Sequence, residues 1–188
     1  MYTTSDIRKG LKIEIDGDPW IVTDFQFVKP GKGVAFTKTK IKHMIRGNTR
    51  DVTYRTGEKL TPAEMEELHM SYLYKDGSDY CFMDTSTYDQ ISLPEENLGN
   101  APLFLLENME VDILFFKGEA IGITPPIFVK LEVTATEPGL RGDTAAGATK
   151  PATLETGHVV FVPLFVEQGQ ILKIDTRTGE YVERTKRD

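Results

Sequence analysis

Residues 20–44 read WIVTDFQFVKPGKGVAFTKTKIKHM, in which Pro30-Gly31-Lys32-Gly33 separates two runs of strand-forming residues. Proline fixes its own φ, and glycine permits positive φ or a close backbone approach. The pattern predicts a hairpin, with Trp20–Val28 as its first strand and Val34–Met44 as its second. Lys32 then lies at the tip of the turn without a bulky neighbour. Turn chemistry alone favours an ordinary solvated lysine there.

The residues around this turn are unusually basic. Between Phe25 and Arg50 the sequence holds seven Lys or Arg residues and no Asp or Glu. Lys38, Lys40 and Lys42 alternate with other residues, and a strand places alternate side chains on one face. One interpretation is a solvated sheet face whose lysines prevent edge pairing. The lack of acidic residues favours a second interpretation, a surface that faces phosphate groups.

The net charge of the chain hides this basic stretch. The 188 residues carry a formal charge of −7, which at first argues against nucleic-acid binding. Residues 1–64 hold 12 basic and 8 acidic residues, residues 65–127 hold 2 and 12, and residues 128–188 hold 8 and 9. The first segment is therefore basic, the second strongly acidic and the third nearly neutral.

Short strand-like runs separated by glycine-containing turns continue along the whole chain. The turns at 75–78 and 117–119 each separate two such runs and predict further hairpins. This spacing is typical of small all-β barrels. Breaks at Gly57–Pro62 and Thr124–Pro126 divide the chain, so we expect three domains: residues 1–64, 65–127 and 128–188.

A few segments predict something other than a strand. Residues 61–64 resemble a capping box and predict one helical turn near 62–66. Pro94–Leu98 and Pro102–Asn108 predict short helices. Pro138–Gly157 is rich in Gly, Ala and Thr without a clear period, and predicts a 20-residue loop. Such a loop is either functional, close to a polymer backbone, or a mobile surface loop.

The sequence lacks the residue patterns of common catalytic and cofactor sites. Gly31-Lys32-Gly33 is not part of a P-loop, and no nucleophile elbow occurs. The three histidines lack metal-ligand spacing and Cys81 is the only cysteine, so we predict no metal site and no cofactor. No apolar run is long enough to cross a membrane, so we expect a cytoplasmic protein that is not an enzyme and has no membrane partner.

The segment from Phe27 to Gly33 resembles the modified-lysine loop of the bacterial elongation factor P family. Further motifs match the same family in order along the whole chain: Tyr72-Leu73-Tyr74, Asp76-Gly77, Phe82-Met83, Thr124-Pro125-Pro126, Pro138 to Thr144, Lys150 to Leu154, Val162 to Val166, Gly169 and Asp175 to Val182. The resemblance implies an SH3-like (KOW-type) first barrel and two OB-type barrels, in an L-shaped arrangement like that of tRNA.

The resemblance also implies a function. Members of the family bind both subunits of the ribosome beside the peptidyl-tRNA and relieve stalling at consecutive prolines. Lys32 is the residue expected to reach the tRNA acceptor end, lengthened in many members by a separate lysine-modifying enzyme. Pro30, Gly31 and Gly33 support it. We expect a monomer that contacts ribosomal RNA through a set of basic and loop residues: Lys29, Lys38, Lys40, Lys42, Arg141, Gly142, Asp143, Thr144, Tyr181 and Arg184.

Two other functions remain open from the residues alone. The basic charge and the barrel-like units also suit a general RNA-binding module that accepts arbitrary single strands. The acidic middle segment suits a structural adaptor that docks a basic protein, with Glu95, Glu96 and Asp112 as exposed charges.

Overall fold

The structure, a computed structural model, describes residues 1–139 and 147–188, and these residues form strands with three short 3-10 helices. The predicted all-β class is confirmed. The strands are β1 Tyr2–Thr3, β2 Lys12–Ile15, β3 Asp18–Val28, β4 Phe36–His43, β5 Thr49–Arg55, β6 Lys59–Pro62, β7 Met65–Asp76, β8 Asp79–Asp84, β9 Gln90–Pro94, β10 Glu110–Phe116, β11 Glu119–Thr124, β12 Phe128–Thr136, β13 Thr149–Leu154, β14 Val159–Pro163, β15 Ile171–Asp175 and β16 Glu180–Thr185. The 3-10 helices are Thr4–Asp6, Glu95–Asn97 and Ala101–Leu103.

The strands form three antiparallel sheets in chain order. Their strand orders are β1-β6-β2-β3-β4-β5, β11-β10-β7-β8-β9 and β14-β13-β12-β15-β16. The predicted hairpin between Trp20 and Met44 is confirmed as β3 and β4, in which Val28 pairs with Phe36 and Trp20 with His43. The hairpins predicted around 75–78 and 117–119 are confirmed as β7–β8 and β10–β11.

The first sheet curls around a small apolar core. Ile13, Trp20, Val22, Ile41 and Leu60 are buried there, with Ile7 and Leu11 from the preceding segment. Alternate residues of β4 are buried, so its pattern follows the period of two that a half-buried strand requires. The core lies under one end of the β3–β4 hairpin, and the other end continues beyond it.

The third sheet has its own core and curls toward a closed barrel. Val129, Leu131, Leu172 and Ile174 are buried between its strands, and Phe104 from the preceding segment joins them. The two edge strands of this sheet, β14 and β16, contact each other. Because closure satisfies backbone groups that an edge would leave open, this curling is expected for a small barrel.

Two local predictions are wrong. The predicted helical turn near 62–66 does not form, because β6 ends at Pro62 and β7 begins at Met65. The predicted loop Pro138–Gly157 contains strand β13, which pairs with β12 and β14. Lys150, Ala152 and Leu154 face inward in β13. A buried lysine and a proline interrupt the apolar alternation, and this hid the strand in the sequence.

The chain divides by its contacts into two compact units. The first contains Met1–Glu67 and Leu114–Gly122, and the second contains Leu68–Ile113 and Ile123–Asp188. The predicted domain boundaries, after residues 64 and 127, stay predictions. Across the ranges that the structure describes, no helix has the length and apolar character needed to cross a bilayer.

Candidate functional site

The β3–β4 hairpin has two halves with different surroundings. We call Asp18–Val22 and Ile41–His43 its near half, because these residues lie over the core of the first unit. Trp20, Val22, Ile41 and His43 are all buried. The Arg50 guanidinium lies 4.6 Å from the centre of the Trp20 ring, which adds a cation–π contact to the outer side of the core.

His43 closes the near half where β4 turns toward β5. Its Nδ1 accepts hydrogen bonds from the backbone N–H groups of Ile45 at 3.1 Å and Arg46 at 3.0 Å. Its ring packs edge-on against the Trp20 ring, with 4.8 Å between the two ring centres. Its Nε2 lies 3.1 Å from Asp18 Oδ2, within ion-pair range but not aligned for a hydrogen bond. Since Nδ1 is the acceptor, the ring proton lies on Nε2 in the neutral form, and His43 is a structural residue.

The far half of the hairpin, Thr23–Val28 and Phe36–Lys40, extends beyond this core. Every residue from Thr23 to Phe27 is exposed, and the only buried far-half residues are Thr37 and Thr39. These threonines pair with Phe27 and Phe25 on β3 and with Tyr54 and Val52 on β5. Small hydroxyl side chains thus occupy positions where the near half has large apolar ones. The far half is a projection that contributes little to the core.

Lys32 lies at the end of this projection. Gly31, Lys32 and Gly33 are exposed, and a Cβ added to either glycine would meet no atom within 4 Å. Gly33 has φ +103°, a conformation that L side chains rarely adopt, so the turn requires glycine there. Phe27 and Val34, which flank the turn, are 59% and 63% exposed. An exposed amine and two exposed apolar side chains therefore form the tip.

The predicted lysine face has the geometry that the alternation implied. Lys38, Lys40 and Lys42 are exposed on one face of β4. Gln26 and Thr53 lie opposite Lys38 on the neighbouring strands, and Asp24 and Asp51 lie opposite Lys40. A groove of about 390 Å³ lies here, and Lys38, Lys40 and the four residues opposite them contribute to its lining. Sequence reasoning missed the two carboxylates because they lie just outside the acid-free stretch, and only the strand register places them beside Lys40.

The other predicted RNA contacts lie apart from this groove. Lys29 is exposed directly after β3. Arg184, on β16 in the second unit, places its guanidinium 4.3 Å from the centre of the Phe165 ring, and Phe165 was not predicted as a site residue. Tyr181 is half-buried and packs against the core of the third sheet. Arg141, Gly142, Asp143 and Thr144 lie outside the described residues.

Some charges of the acidic middle segment are already paired within the second unit. The His69 ring lies between two carboxylates, with Nδ1 2.8 Å from Asp112 Oδ1 and Nε2 3.1 Å from Glu110 Oε2. The hydrogen bond with Asp112, followed by that with Glu110, raises the pKa of His69 above its usual range. Asp112 is therefore a weaker docking charge for a basic partner than the sequence suggested.

No metal centre is present in the part of the chain that the structure describes: no group of three or more His, Cys, Asp or Glu side chains is placed to hold an ion. What the described residues of the first unit offer is an exposed amine on a projection and an uneven row of lysines beside a groove. Such a surface suits binding and positioning of a polyanion.

Three family models match successive segments of the chain. They describe the KOW-like domain of elongation factor P at residues 3–60, its OB domain at residues 65–123, and its C-terminal region at residues 129–184. The chain is thus an all-β protein of the class that joins a KOW-like domain to OB-type barrels. The solved structure of eukaryotic translation initiation factor 5A from Methanococcus jannaschii has a similar fold, with a TM-score of 0.55 and 23% identity, over 66% of this chain and 93% of that one.

Relatives over the full length define the family more narrowly. Elongation factor P of Desulfosudis oleivorans is 52% identical over 187 residues, which cover 100% of both chains. Elongation factor P 2 of Geobacter sulfurreducens is 50% identical over 186 residues, 99% of this chain and 100% of that one. The chain belongs to the elongation factor P family, a family of translation factors and not of enzymes.

Proposed function

We propose that the chain binds the ribosome beside the peptidyl-tRNA and speeds peptide-bond formation at consecutive prolines, with Lys32 as the group that contacts the tRNA acceptor end. One observation carries the proposal: the family's loop lysine lies exposed at the tip of a projection that contributes little to the core. The far half of the hairpin holds Lys32 beyond the core of the first unit, as contact inside a narrow RNA cleft requires.

The chemistry of this contact is positioning. Proline is a poor substrate for peptide transfer because its ring restricts the backbone conformation. A factor that fixes the acceptor end lowers the barrier without donating a proton or a nucleophile; ideal positioning contributes about 7–11 kcal/mol. The Lys32 ammonium binds phosphate or ribose oxygens of the tRNA, and the lysine face of β4 contacts ribosomal RNA.

Lys32 is also accessible to a modifying enzyme. Its side chain is exposed, and the glycines beside it leave open space around the backbone. A separate protein that lengthens the amine would increase its reach into the ribosome. We further propose that the factor acts in the cytoplasm as a monomer.

Translation in a reconstituted system tests the proposal. The full chain, isolated from its native cells, is compared with Lys32→Ala on two messages that differ only in a run of prolines or alanines. We expect Lys32→Ala to slow synthesis across the prolines at least ~10-fold, because a lost positioning contact of about 1.4 kcal/mol already has this effect. Synthesis across alanines and the unfolding temperature stay unchanged.

Lys29→Ala is the matched control, since Lys29 is an exposed lysine three positions away in the same loop. An equal loss in both variants would reduce the role of Lys32 to general charge. Wild-type speed across prolines in Lys32→Ala would overturn the proposal. The intact mass of the natural protein, with peptide mapping of Lys32, separately shows whether that residue is lengthened.

A further inference from the structure

The turn between β10 and β11 belongs to a different compact unit from most of its sheet. Both strands are part of the second sheet, yet Leu114–Gly122, which contains the turn, belongs to the first unit together with Met1–Glu67. The chain also passes directly from β6 of the first sheet to β7 of the second. A single covalent connection leaves two sheets free to rotate, and a second contact restricts that rotation.

Lys117 makes this second contact. Its Nζ lies 2.6 Å from Oε1 of Glu14, on β2 of the first sheet. That oxygen is buried and, within the ranges that the structure describes, accepts no aligned hydrogen bond. A Cβ on Gly17, in the turn between β2 and β3, would lie 4.0 Å from the same Nζ. Removing the ammonium would leave a largely buried carboxylate without its counter-charge, which is costly.

The backbone at Lys117 is not one that lysine favours. Lys117 has φ +51° and Gly118 φ +81°, and the neighbouring turn has φ +53° at Asp16 and +82° at Gly17. Two-residue hairpin turns with positive φ at both positions favour Asn, Asp or Gly. A lysine in this region of φ is uncommon, so turn chemistry alone does not explain the residue at position 117. The contact with Glu14 does.

A comparison with Lys75 shows what distinguishes Lys117. These two are the only basic residues of the acidic segment 65–127. Both are exposed beside a hairpin turn, and each lies over an aromatic ring of its own hairpin, Lys75 at 5.3 Å from the centre of Tyr80 and Lys117 at 5.2 Å from that of Phe116. Lys117 alone is paired with a carboxylate of the first sheet. Charge complementarity of this kind fixes the register of a contact.

We propose that Lys117 is a positioning residue: its pair with Glu14 fixes the β10–β11 turn against the first sheet and restricts the movement of the sheet that bears Lys32. The inference rests on the proposed function, because a restrained sheet matters only where Lys32 must meet its target in one geometry. A group that is held in advance loses less freedom when it binds. Lys117 therefore acts through Lys32, without an RNA contact of its own.

Hydrogen exchange of the full chain, followed by mass spectrometry without ribosomes, tests the contact itself. Lys117→Met keeps the apolar stem and removes the charge. We expect the amides of residues 12–20 and 114–122 to exchange about two- to fivefold faster in this variant, because the pair no longer opposes local opening. Lys75→Met is the matched control and should leave both segments at the wild-type rate. Equal rates in Lys117→Met and the wild type would overturn the proposal.

Translation of the proline message tests the positioning role. Lys117→Glu brings two carboxylates together and should slow synthesis about threefold or more, since small misplacements of a positioned group are costly. Glu14→Lys should slow it in the same way. The double variant, Glu14→Lys with Lys117→Glu, restores opposite charges and should recover most of the speed. In a Lys32→Ala background, Lys117→Glu should have no further effect.

The outcomes separate this inference from the proposed function. Absence of recovery in the double variant, or a further loss in the Lys32→Ala background, would overturn the positioning role. Wild-type speed in Lys117→Glu beside slow synthesis in Lys32→Ala would overturn it as well and leave the Lys32 proposal intact. Failure of the proposed function has a different signature, because Lys32→Ala alone would then keep wild-type speed.

Discussion

The two halves of the β3–β4 hairpin share two strands and one register but use their inward faces differently. In the near half, Trp20, Val22 and Ile41 are buried and hold the first unit together. In the far half, the inward positions of β4 hold Thr37 and Thr39, and the facing β3 residues Phe25 and Phe27 are exposed. The near half of the hairpin therefore stabilises the fold, whereas the far half holds the turn with Lys32 beyond the core. Substitutions in the near half should cost stability, and those in the far half should cost binding or activity.

The largest expected effect separates the halves by stability. Ile41 is fully buried, so Ile41→Ala should lower the free energy of unfolding by about 2–5 kcal/mol through lost burial and a residual cavity. Phe27→Ala removes a larger side chain from the far half and should cost about 1 kcal/mol or less. Urea denaturation of both variants measures the difference. Comparable losses would mean that the far half is part of the core, which would contradict the division.

A smaller effect concerns the end of the near half. His43→Ala removes the acceptor of the Ile45 and Arg46 N–H groups and should cost about 1–3 kcal/mol. His43→Asn is the matched variant, because its side-chain carbonyl places an acceptor close to the position of Nδ1. It should recover part of the loss in a denaturation experiment. If Asn is no better than Ala, ring packing on Trp20 is the main contribution of His43, and the turn does not depend on its acceptor.

The sequence was sufficient to predict the hairpins because their alternation and turn residues are local signals. The turns at Pro30–Gly33, Gly77 and Gly118 were all found in this way. Strand β13 was missed since Lys150 faces inward, and a buried lysine breaks the pattern that identifies a strand. Strand β6 lies where a break was expected, because its four residues carry too little alternation to be distinguished from a linker.

For the candidate site too, the sequence predicts only the features that follow from local geometry. The exposure of Lys32 and the shared face of Lys38, Lys40 and Lys42 follow from local geometry, and both were foreseen. Partners from other strands depend on register, which a single sequence does not reveal. The position of Asp24 and Asp51 beside Lys40 and that of Arg184 over Phe165 are contacts of this kind. An acid-free stretch of sequence is therefore not an acid-free surface.

The smallest expected effect distinguishes two lysines within the far half. Lys38 faces the neutral Gln26 and Thr53, whereas Lys40 faces Asp24 and Asp51, which already offset its charge. Lys38→Gln should therefore weaken binding to the ribosome and lower the salt slope by about 0.7–0.9, the release expected for one phosphate contact. Lys40→Gln should change the slope by clearly less, and Asp51→Asn should strengthen binding.

Equilibrium binding of the three variants to purified ribosomes at several salt concentrations measures these slopes. All three positions are exposed on the sheet surface, so their unfolding midpoints should agree and the slopes can be compared directly. Equal slopes for Lys38→Gln and Lys40→Gln would show that RNA does not approach this face of β4. RNA binding by the far half would then depend on the Lys32 turn alone. Lys38, Lys40 and Lys42 would form only a solvated surface.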